Sequence, residues 1–162
     1  MSVETENAAA FAAVRPAVEL PIRIREFNEP DKNFVLNSWL KSYRDSPWAF
    51  HLDNDTYFYG HQLLIGKLAE TSKLYVACSV DDPNEIWGWL CAEKGPPGTV
   101  VIHYVNVKQR FRKFGVAKAL LQAAGWRPGV KVWATHWTEK AELLCNKFNA
   151  HYNPYFLCRG FL

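Results

Sequence analysis

Residues 105–121 combine a strand, a basic glycine-containing turn and a helix, and this segment limits the choice of fold more than any other. Residues 99–107 are rich in β-branched side chains, which predicts a strand with one face formed by Val101, His103, Val105 and Val107. Residues 113–124 have apolar side chains at helical spacing, which predicts a helix. The junction would therefore place the free N–H groups and positive dipole end of a helix start beside the basic residues Lys108, Arg110, Arg112 and Lys113.

Such a junction suits a phosphate ligand, because helix N-termini and basic side chains both attract multiply charged anions. Two common phosphate-binding patterns do not fit the sequence. The P-loop requires Gly-Lys-Ser/Thr after a glycine and four further residues, and the dinucleotide fingerprint requires three glycines, whereas this turn contains only Gly115. A solvated basic turn in another kind of α/β protein is the structural alternative.

The segment instead resembles the coenzyme A-binding signature of the GNAT N-acetyltransferase superfamily, Arg/Gln-x-x-Gly-x-Gly/Ala preceded by a valine. Arg112 to Ala117 match this pattern, and Val107 stands at the expected offset before them. The resemblance implies an acyl-CoA-dependent N-acyltransferase that transfers acetyl from acetyl-CoA to an amine by direct attack in a ternary complex. It also implies an α/β (α+β) fold with a mixed, mostly antiparallel sheet, helices on both faces, and fourth and fifth strands that run parallel and splay apart.

The resemblance further implies that the main chain binds the coenzyme. N–H groups near Val105 and Val107 would bind the thioester carbonyl and the pantetheine arm. The pyrophosphate would lie against the turn and the start of the helix, formed by Lys113, Phe114, Gly115, Val116 and Ala117. Glycine suits this position because a Cβ would obstruct the close approach of phosphate. Arg112 and Lys118 would add positive charge.

Two side chains near the predicted site are candidates for proton transfer, and each has a structural alternative. His103 is the candidate base because histidine titrates near neutral pH, although its apolar strand face equally fits a core histidine. Family members with a glutamate base on this strand carry it at the position of Val101, so a base that acts through water stays open. Cys145 stands where many family members have a tyrosine acid, and it is a candidate acid, a reactive thiol or a packing residue.

Tyr152 and Tyr155 follow Cys145 closely and could replace the missing tyrosine acid. Thr138 stands at the family's usual asparagine position, where it would either cap a helix or contact the cofactor.

Aromatic residues mark the predicted acceptor side, where the first two helices meet the splayed strands. Most of them are expected to fill the core; they are Trp39, Tyr43, Trp48, His51, Tyr57, Tyr59, Trp87, Trp89, Tyr104, Trp133, His136 and Trp137. Residues 46–51 form an aromatic loop that would suit a planar or cationic amine. The predicted acceptor is therefore an amine on a small molecule or a protein.

Composition narrows the function classes. A net charge of +3 is too small for a dedicated nucleic-acid binder. A nucleotide or nucleic-acid modifier is thus a less favoured alternative, beside a non-catalytic module that binds coenzyme A or a protein partner. The histidines and cysteines lack metal-type spacing, which predicts no metal cofactor. No apolar run approaches membrane-spanning length.

Cys78 and Cys91 fall in apolar strands and are expected to be free thiols, which favours a cytoplasmic protein, as a monomer or homodimer. Residues 1–20 are expected to form a flexible leader before a single domain over residues 21–162. The predicted elements of that domain are a strand at 21–27, helices at 32–44 and 56–71, strands at 73–80, 85–93 and 99–107, a helix at 113–124, a strand at 130–137, a helix at 139–149 and a strand at 151–157.

Overall fold

The computed structural model describes residues 21–161, so the predicted leader lies outside the described residues. Its strands and α-helices follow the predicted order along the chain. They are β1 (Ile22–Glu26), α1 (Lys32–Arg44), α2 (Asn54–Thr71), β2 (Lys73–Ser79), β3 (Ile86–Lys94), β4 (Thr99–Val107), α3 (Val116–Ala123), β5 (Lys131–Ala134), α4 (Glu139–Phe148) and β6 (Ala150–Tyr152).

The strands form one sheet in the order β1 to β6. Pairing is antiparallel from β1 through β4 and parallel between β4 and β5 and between β5 and β6. One apolar cluster packs α1 and α2 on one face of the sheet, and a second packs α3 and α4 on the other. The predicted mixed, mostly antiparallel sheet with helices on both faces is confirmed.

Helical spacing explains how α1 and α2 cover their face of the sheet. α1 buries Val35, Trp39 and Tyr43, each four residues after the last, against the sheet. The Trp39 ring lies 5.3 Å from that of Trp89 on β3. α2 buries apolar residues in the same way, but one of its inward positions is His61, a polar residue in an apolar row.

β4 contains one extra residue opposite β3, and this bulge lies at His103. The residues on either side of it, Ile102 and Tyr104, pair with consecutive residues of β3. An extra residue reverses the alternation of side chains beyond it. Val105 and Val107 consequently pack with Ile102 on the α3 face, whereas Tyr104 packs against α1. The prediction that one strand face contains Val101, His103, Val105 and Val107 is therefore wrong.

The last two strands are shorter than predicted. β6 ends at Tyr152, and a 3-10 helix over Pro154–Phe161 replaces the rest of the strand predicted at 151–157. Proline explains this ending because it has no N–H to donate to a sheet. β5 ends at Ala134 rather than at residue 137, because β4 separates from it there.

No helix within residues 21–161 combines the length and apolar character needed to cross a membrane. Cys78 and Cys91 are buried free thiols, as predicted, and Cys145 and Cys158 are also free.

Gly88 allows the close approach of β3 to β4 and generates a stability prediction. A Cβ at this position would lie 2.7 Å from the main-chain oxygen of Asn106. We expect Gly88→Ala to lower the free energy of unfolding by about 1–3 kcal/mol, because a backbone atom in a paired strand cannot easily move aside. Urea unfolding measures this loss. The control is Gly60→Ala in α2, where a Cβ meets no described atom within 4 Å and should stabilise by about 0.5–1 kcal/mol. Wild-type stability of Gly88→Ala would contradict the close approach.

Candidate active site

The pairing between β4 and β5 ends halfway along β4. They pair between Thr99–Ile102 and Lys131–Ala134, and the last bond runs from the Thr135 N–H to the Ile102 carbonyl at 3.0 Å. β4 continues to Val107 with β3 still on its other side. The predicted splaying of the fourth and fifth strands is confirmed, and residues 103–107 of β4 face a gap.

The main chain of β4 presents polar groups to this gap. Lys108 donates its N–H to the Trp87 carbonyl of β3 at 2.9 Å. Main-chain groups of successive residues in a strand alternate between its two edges. Those of Val105 and Val107 therefore point away from β3. In agreement, the Val107 carbonyl accepts a hydrogen bond from Arg112 Nε at 2.9 Å.

Two left-handed residues separate β4 from α3. The φ angle is 69° at Lys113 and 82° at Gly115, and a left-handed residue cannot continue an α-helix. α3 therefore begins at Val116, three residues after its predicted start at Lys113. A Cβ on Gly115 would meet no described atom within 4 Å, so the space beside this residue is open.

The predicted phosphate-binding residues thus divide between the turn and the first turn of α3. Lys113, Phe114 and Gly115 form the turn, and Val116, Ala117 and Lys118 begin the helix. The first N–H groups of a helix have no acceptor within it, and they point out of its N-terminus.

The basic side chains near the turn have different surroundings. Lys108 Nζ lies 4.8 Å from the centre of the Phe34 ring, and burial together with Arg110 lowers the pKa of this lysine. Arg110 lies 3.5 Å from Glu85. The side chains exposed beside the start of α3 are those of Arg112, Lys113 and Lys118. These three can add charge for an anion bound there.

His103 belongs to a row of polar contacts that crosses the core. Thr135 Oγ1 lies 2.9 Å from His103 Nδ1 and 3.1 Å from His136 Nδ1. The Nε2 atoms of His136 and His61 are 3.2 Å apart. On the other side of the His103 ring, Glu93 Oε2 lies 3.7 Å from His103 Nε2. We call these five residues, Glu93, His103, Thr135, His136 and His61, the histidine chain.

Burial keeps the inner part of the histidine chain neutral at pH 7. His61 is 4% exposed and His136 is 5% exposed. The Tyr43 ring lies 5.0 Å from His61 and 4.6 Å from His136, and Tyr57 stacks on His61 at 5.2 Å. Burial lowers the pKa of His61 to about 4. Burial, with the nearby His61 and His103, lowers the pKa of His136 well below its usual value.

An apolar groove of about 440 Å³ lies next to the His61 end of this chain. Its lining is Pro47, Trp48, Trp137 and Tyr152. The Trp48 ring is 6.4 Å from the His61 ring, and Trp137 directly follows His136 in the sequence. We call this feature the aromatic groove.

The structure brings Tyr152 to the aromatic groove, where its ring lies 5.6 Å from that of Trp137. Cys145 is half-buried on α4, and burial together with Glu142 raises the pKa of its thiol. Thr138 Oγ1 accepts the Ala141 N–H at 3.1 Å, so this residue caps α4. The catalytic roles of Tyr152 and Cys145, and the cofactor contact of Thr138, stay predictions.

Sequence reasoning singled out His103 and placed His136 among the aromatic residues of the acceptor side, but it missed His61, Thr135 and Glu93. His61 could have been found as the one polar residue at the inward spacing of Tyr57, Ile65 and Leu68. Thr135 carries no such signal, because only the parting of β4 and β5 makes its position special. Within residues 21–161, no group of three or more His, Cys, Asp or Glu side chains is placed to hold a metal ion.

The chain belongs to the acetyltransferase (GNAT) family, whose sequence profile matches residues 33–125. That span runs from the start of α1 to just beyond α3, so it contains His61, the open edge of β4 and the left-handed turn, but not β5. Membership supports acyl transfer in general. No curated protein sequence matches this chain.

Solved structures share the fold. The candidate acetyltransferase YycN from Bacillus subtilis aligns with a TM-score of 0.59 and 16% identity, over 82% of this chain and 93% of its own. A candidate acetyltransferase from Clostridium difficile 630 aligns with a TM-score of 0.51 and 16% identity, over 82% and 91%. A GNAT acetyltransferase from Staphylococcus aureus Mu50 gives a TM-score of 0.44 and 17% identity, and this chain spans only 62% of its length.

The low pKa of His61 makes stability depend on pH. It is about 4 in the folded protein and near 6.5 in an unfolded chain. Between these values the unfolded chain binds more protons, so a fall in pH from 6.5 towards 4 destabilises the fold, by up to roughly 3 kcal/mol. We expect the free energy of unfolding of His61→Gln to fall less between pH 7 and pH 5 than that of the wild type. Urea unfolding at both pH values measures this, with the exposed His51→Gln as control. Equal pH dependence of His61→Gln and wild type would contradict the buried neutral ring.

Proposed function

We propose that the protein is an acyl-CoA-dependent N-acyltransferase that transfers acetyl from acetyl-CoA to an amine by direct attack in a ternary complex. One observation carries this proposal: the open edge of β4, beyond Ile102, leads directly into the left-handed turn that starts α3. A strand edge can bind an amide-containing arm, and a helix start can bind phosphate.

The residues present fit coenzyme A. The pantetheine arm and thioester carbonyl would hydrogen-bond the main chain of Val105 and Val107. The pyrophosphate would lie in the open space beside Gly115, against the N–H groups of Val116, Ala117 and Lys118. Phe114, which is 48% exposed, and Thr138 would flank the coenzyme. Bound coenzyme supplies the activated acetyl group.

The transfer makes three demands on the protein. The carbonyl needs hydrogen-bond donors that stabilise the developing oxyanion, which we assign to the main-chain N–H groups on the open edge of β4. The amine must attack in its neutral form and then lose a proton. The leaving thiolate takes up a proton, for which Tyr152 at the aromatic groove is a candidate donor because a tyrosine phenol is protonated at pH 7. Cys145 is a second candidate acid.

The aromatic groove favours an acceptor with an apolar or planar body that carries the reacting amine. Trp48 and Trp137 offer ring faces, which attract both flat groups and cations. The acceptor is a small molecule or a protein side chain. We further propose that residues 21–162 act as one domain, and that the free thiols reflect a reducing compartment such as the cytoplasm.

Calorimetry with acetyl-CoA tests the binding site. We expect saturable binding by the wild type and at least about tenfold weaker binding by Arg112→Glu, because reversing a charge beside a phosphate removes more than one charge-assisted hydrogen bond. The control is Arg127→Glu, which makes the same charge change at an exposed position beyond α3. Absence of binding by the wild type at millimolar acetyl-CoA would contradict the proposal, as would equal weakening by both variants.

Thiol release from acetyl-CoA against a panel of alkylamines and arylamines tests turnover. We expect release that depends on an amine and that is selective among panel members, because the groove is apolar and aromatic. Mass spectrometry of the product should show one acetyl group on the amine. Binding of acetyl-CoA without turnover of any amine would instead support a non-catalytic coenzyme A-binding module.

A further inference from the structure

The donor and the acceptor in each contact of the histidine chain can be assigned in turn, starting from Glu93. Glu93 Oε2 lies 3.7 Å from His103 Nε2, which is too long for a hydrogen bond, but the negative charge of the carboxylate favours a proton on this nitrogen. In the neutral ring, Nδ1 then has a lone pair. This atom must accept from the Thr135 hydroxyl, which lies at 2.9 Å.

The same reasoning then assigns the donors and acceptors at Thr135, His136 and His61. The hydroxyl of Thr135 has only one hydrogen and has donated it to His103, so its oxygen accepts from His136 Nδ1 at 3.1 Å. The main-chain carbonyl of His103 also favours a proton on the His136 ring. His136 Nε2 therefore has a lone pair, which accepts the Nε2–H of His61 at 3.2 Å. The lone pair to which this order assigns no donor is the one on Nδ1 of His61.

The alternation of donors and acceptors follows from the short distance between the inner rings. Two N–H groups, or two lone pairs, facing each other at 3.2 Å would repel. Both rings are buried, so no bulk water relieves a mismatch. The tautomer that Glu93 favours at His103 therefore determines the tautomers of His136 and His61.

The lone pair of His61 Nδ1 lies at the end of the histidine chain that approaches the aromatic groove, although His61 itself is 4% exposed and is not one of the residues that line the groove. Trp48 contributes a wall of the groove and lies 6.4 Å from His61 between ring centres. Tyr43 and Tyr57 hold the His61 ring between them by stacking, with interplanar angles of 25° and 13°. The ring is thus oriented by its neighbours on both faces and by His136 at its edge.

We propose that Glu93 polarises the histidine chain so that His61 Nδ1 accepts the proton of the acceptor amine at the aromatic groove. This inference rests on the proposed N-acyltransferase function. In it, His61 is the group that contacts the substrate, and Glu93, His103, Thr135 and His136 are positioning residues.

The step balances as follows. The neutral amine attacks the thioester carbon, a nitrogen–carbon bond forms, and the carbon–sulfur bond breaks. The nitrogen gives a proton to His61 Nδ1, and the thiolate takes one from Tyr152 or from water. The imidazolium of His61 then returns its proton to solvent when the amide leaves. No oxidant or metal is required.

A weakly basic histidine is adequate for this role. An amine nitrogen becomes strongly acidic as it bonds to the carbonyl carbon, so a group that is neutral at pH 7 can take its proton at that moment. The hydrogen bonds through His136 and Thr135 spread the new positive charge towards Glu93, whose side chain is 22% exposed.

Nitrogen-15 NMR of the imidazole rings at pH 7 tests the order of the histidine chain without coenzyme or amine. We expect the proton on Nε2 of His61, on Nδ1 of His136 and on Nε2 of His103. Glu93→Gln should convert these rings to mixtures of tautomers, because glutamine can donate as well as accept. Glu70→Gln, at an exposed position of α2, is the matched control. A proton on His61 Nδ1 in the wild type would overturn the proposal.

Kinetics with two classes of amine test the role of His61. Attack by an arylamine forms a nitrogen acidic enough to release its proton to water, whereas attack by an alkylamine benefits from a base. We expect His61→Gln to lower kcat/KM for an alkylamine by roughly 100-fold or more and for an arylamine by much less, with an unchanged KM for acetyl-CoA. Glu93→Gln, on a partly exposed side chain that is less prone to disturb folding, should show the same selective loss to a smaller degree. The control is the exposed His151→Gln.

The outcomes separate the two proposals. Equal losses for both amine classes, or wild-type rates in both variants, would overturn the assignment of His61 while leaving the acyltransferase intact. Absence of turnover in the wild type would instead remove the proposed function, and with it the base, whatever tautomers the NMR spectra show.

Discussion

The site depends on one event in the sheet, the end of β4–β5 pairing after Ile102. The Thr135 N–H makes the last main-chain bond to Ile102, and at the same level the side chains of Thr135 and His103 bond to each other. Beyond this point, β4 runs on with one edge bare. In the proposed function, that edge would provide main-chain groups for the acyl donor, and the side chains of Thr135 and His103 meet where the two strands separate. Both halves of the proposed chemistry therefore come from one parting of strands.

Local features of the sequence predicted much of the fold and one half of the site. β4 was predicted to the residue, because a β-branched run acts over a few neighbouring residues. The glycine-containing turn after it was also predicted, but α3 was predicted to begin three residues too early. The bulge at His103 reversed the predicted strand face, since a bulge is a relation between β4 and β3 and has no signature within β4 alone. The contact of His61 with His136 joins residues 75 positions apart, so only the folded chain can show it.

Polar groups in a core reduce stability unless each finds a partner. The histidine chain meets this condition at Thr135, which has two ring partners, and at His136, which has a partner at each nitrogen. Aromatic rings fill the space around it, with Tyr43 and Tyr104 at 4.6 Å and 5.7 Å from His136. Well-packed apolar residues at these positions would give an equally stable core, as replacements of buried polar groups often do. Stability alone therefore gives no reason for three histidines in one row, and a role for their protons does.

The two substrates would meet different kinds of recognition. Coenzyme binding by the main chain would depend on a backbone shape, which the bulge and the left-handed turn set, and besides Gly115 it would constrain few residue types. The acceptor would instead meet side chains from the α1–α2 loop, from the segment after β5 and from β6. Replacing Trp48 or Trp137 would change the groove without altering the backbone that holds the coenzyme. If the proposed function holds, acceptor specificity can therefore change independently of coenzyme binding, because the aromatic groove and the left-handed turn consist of different residues.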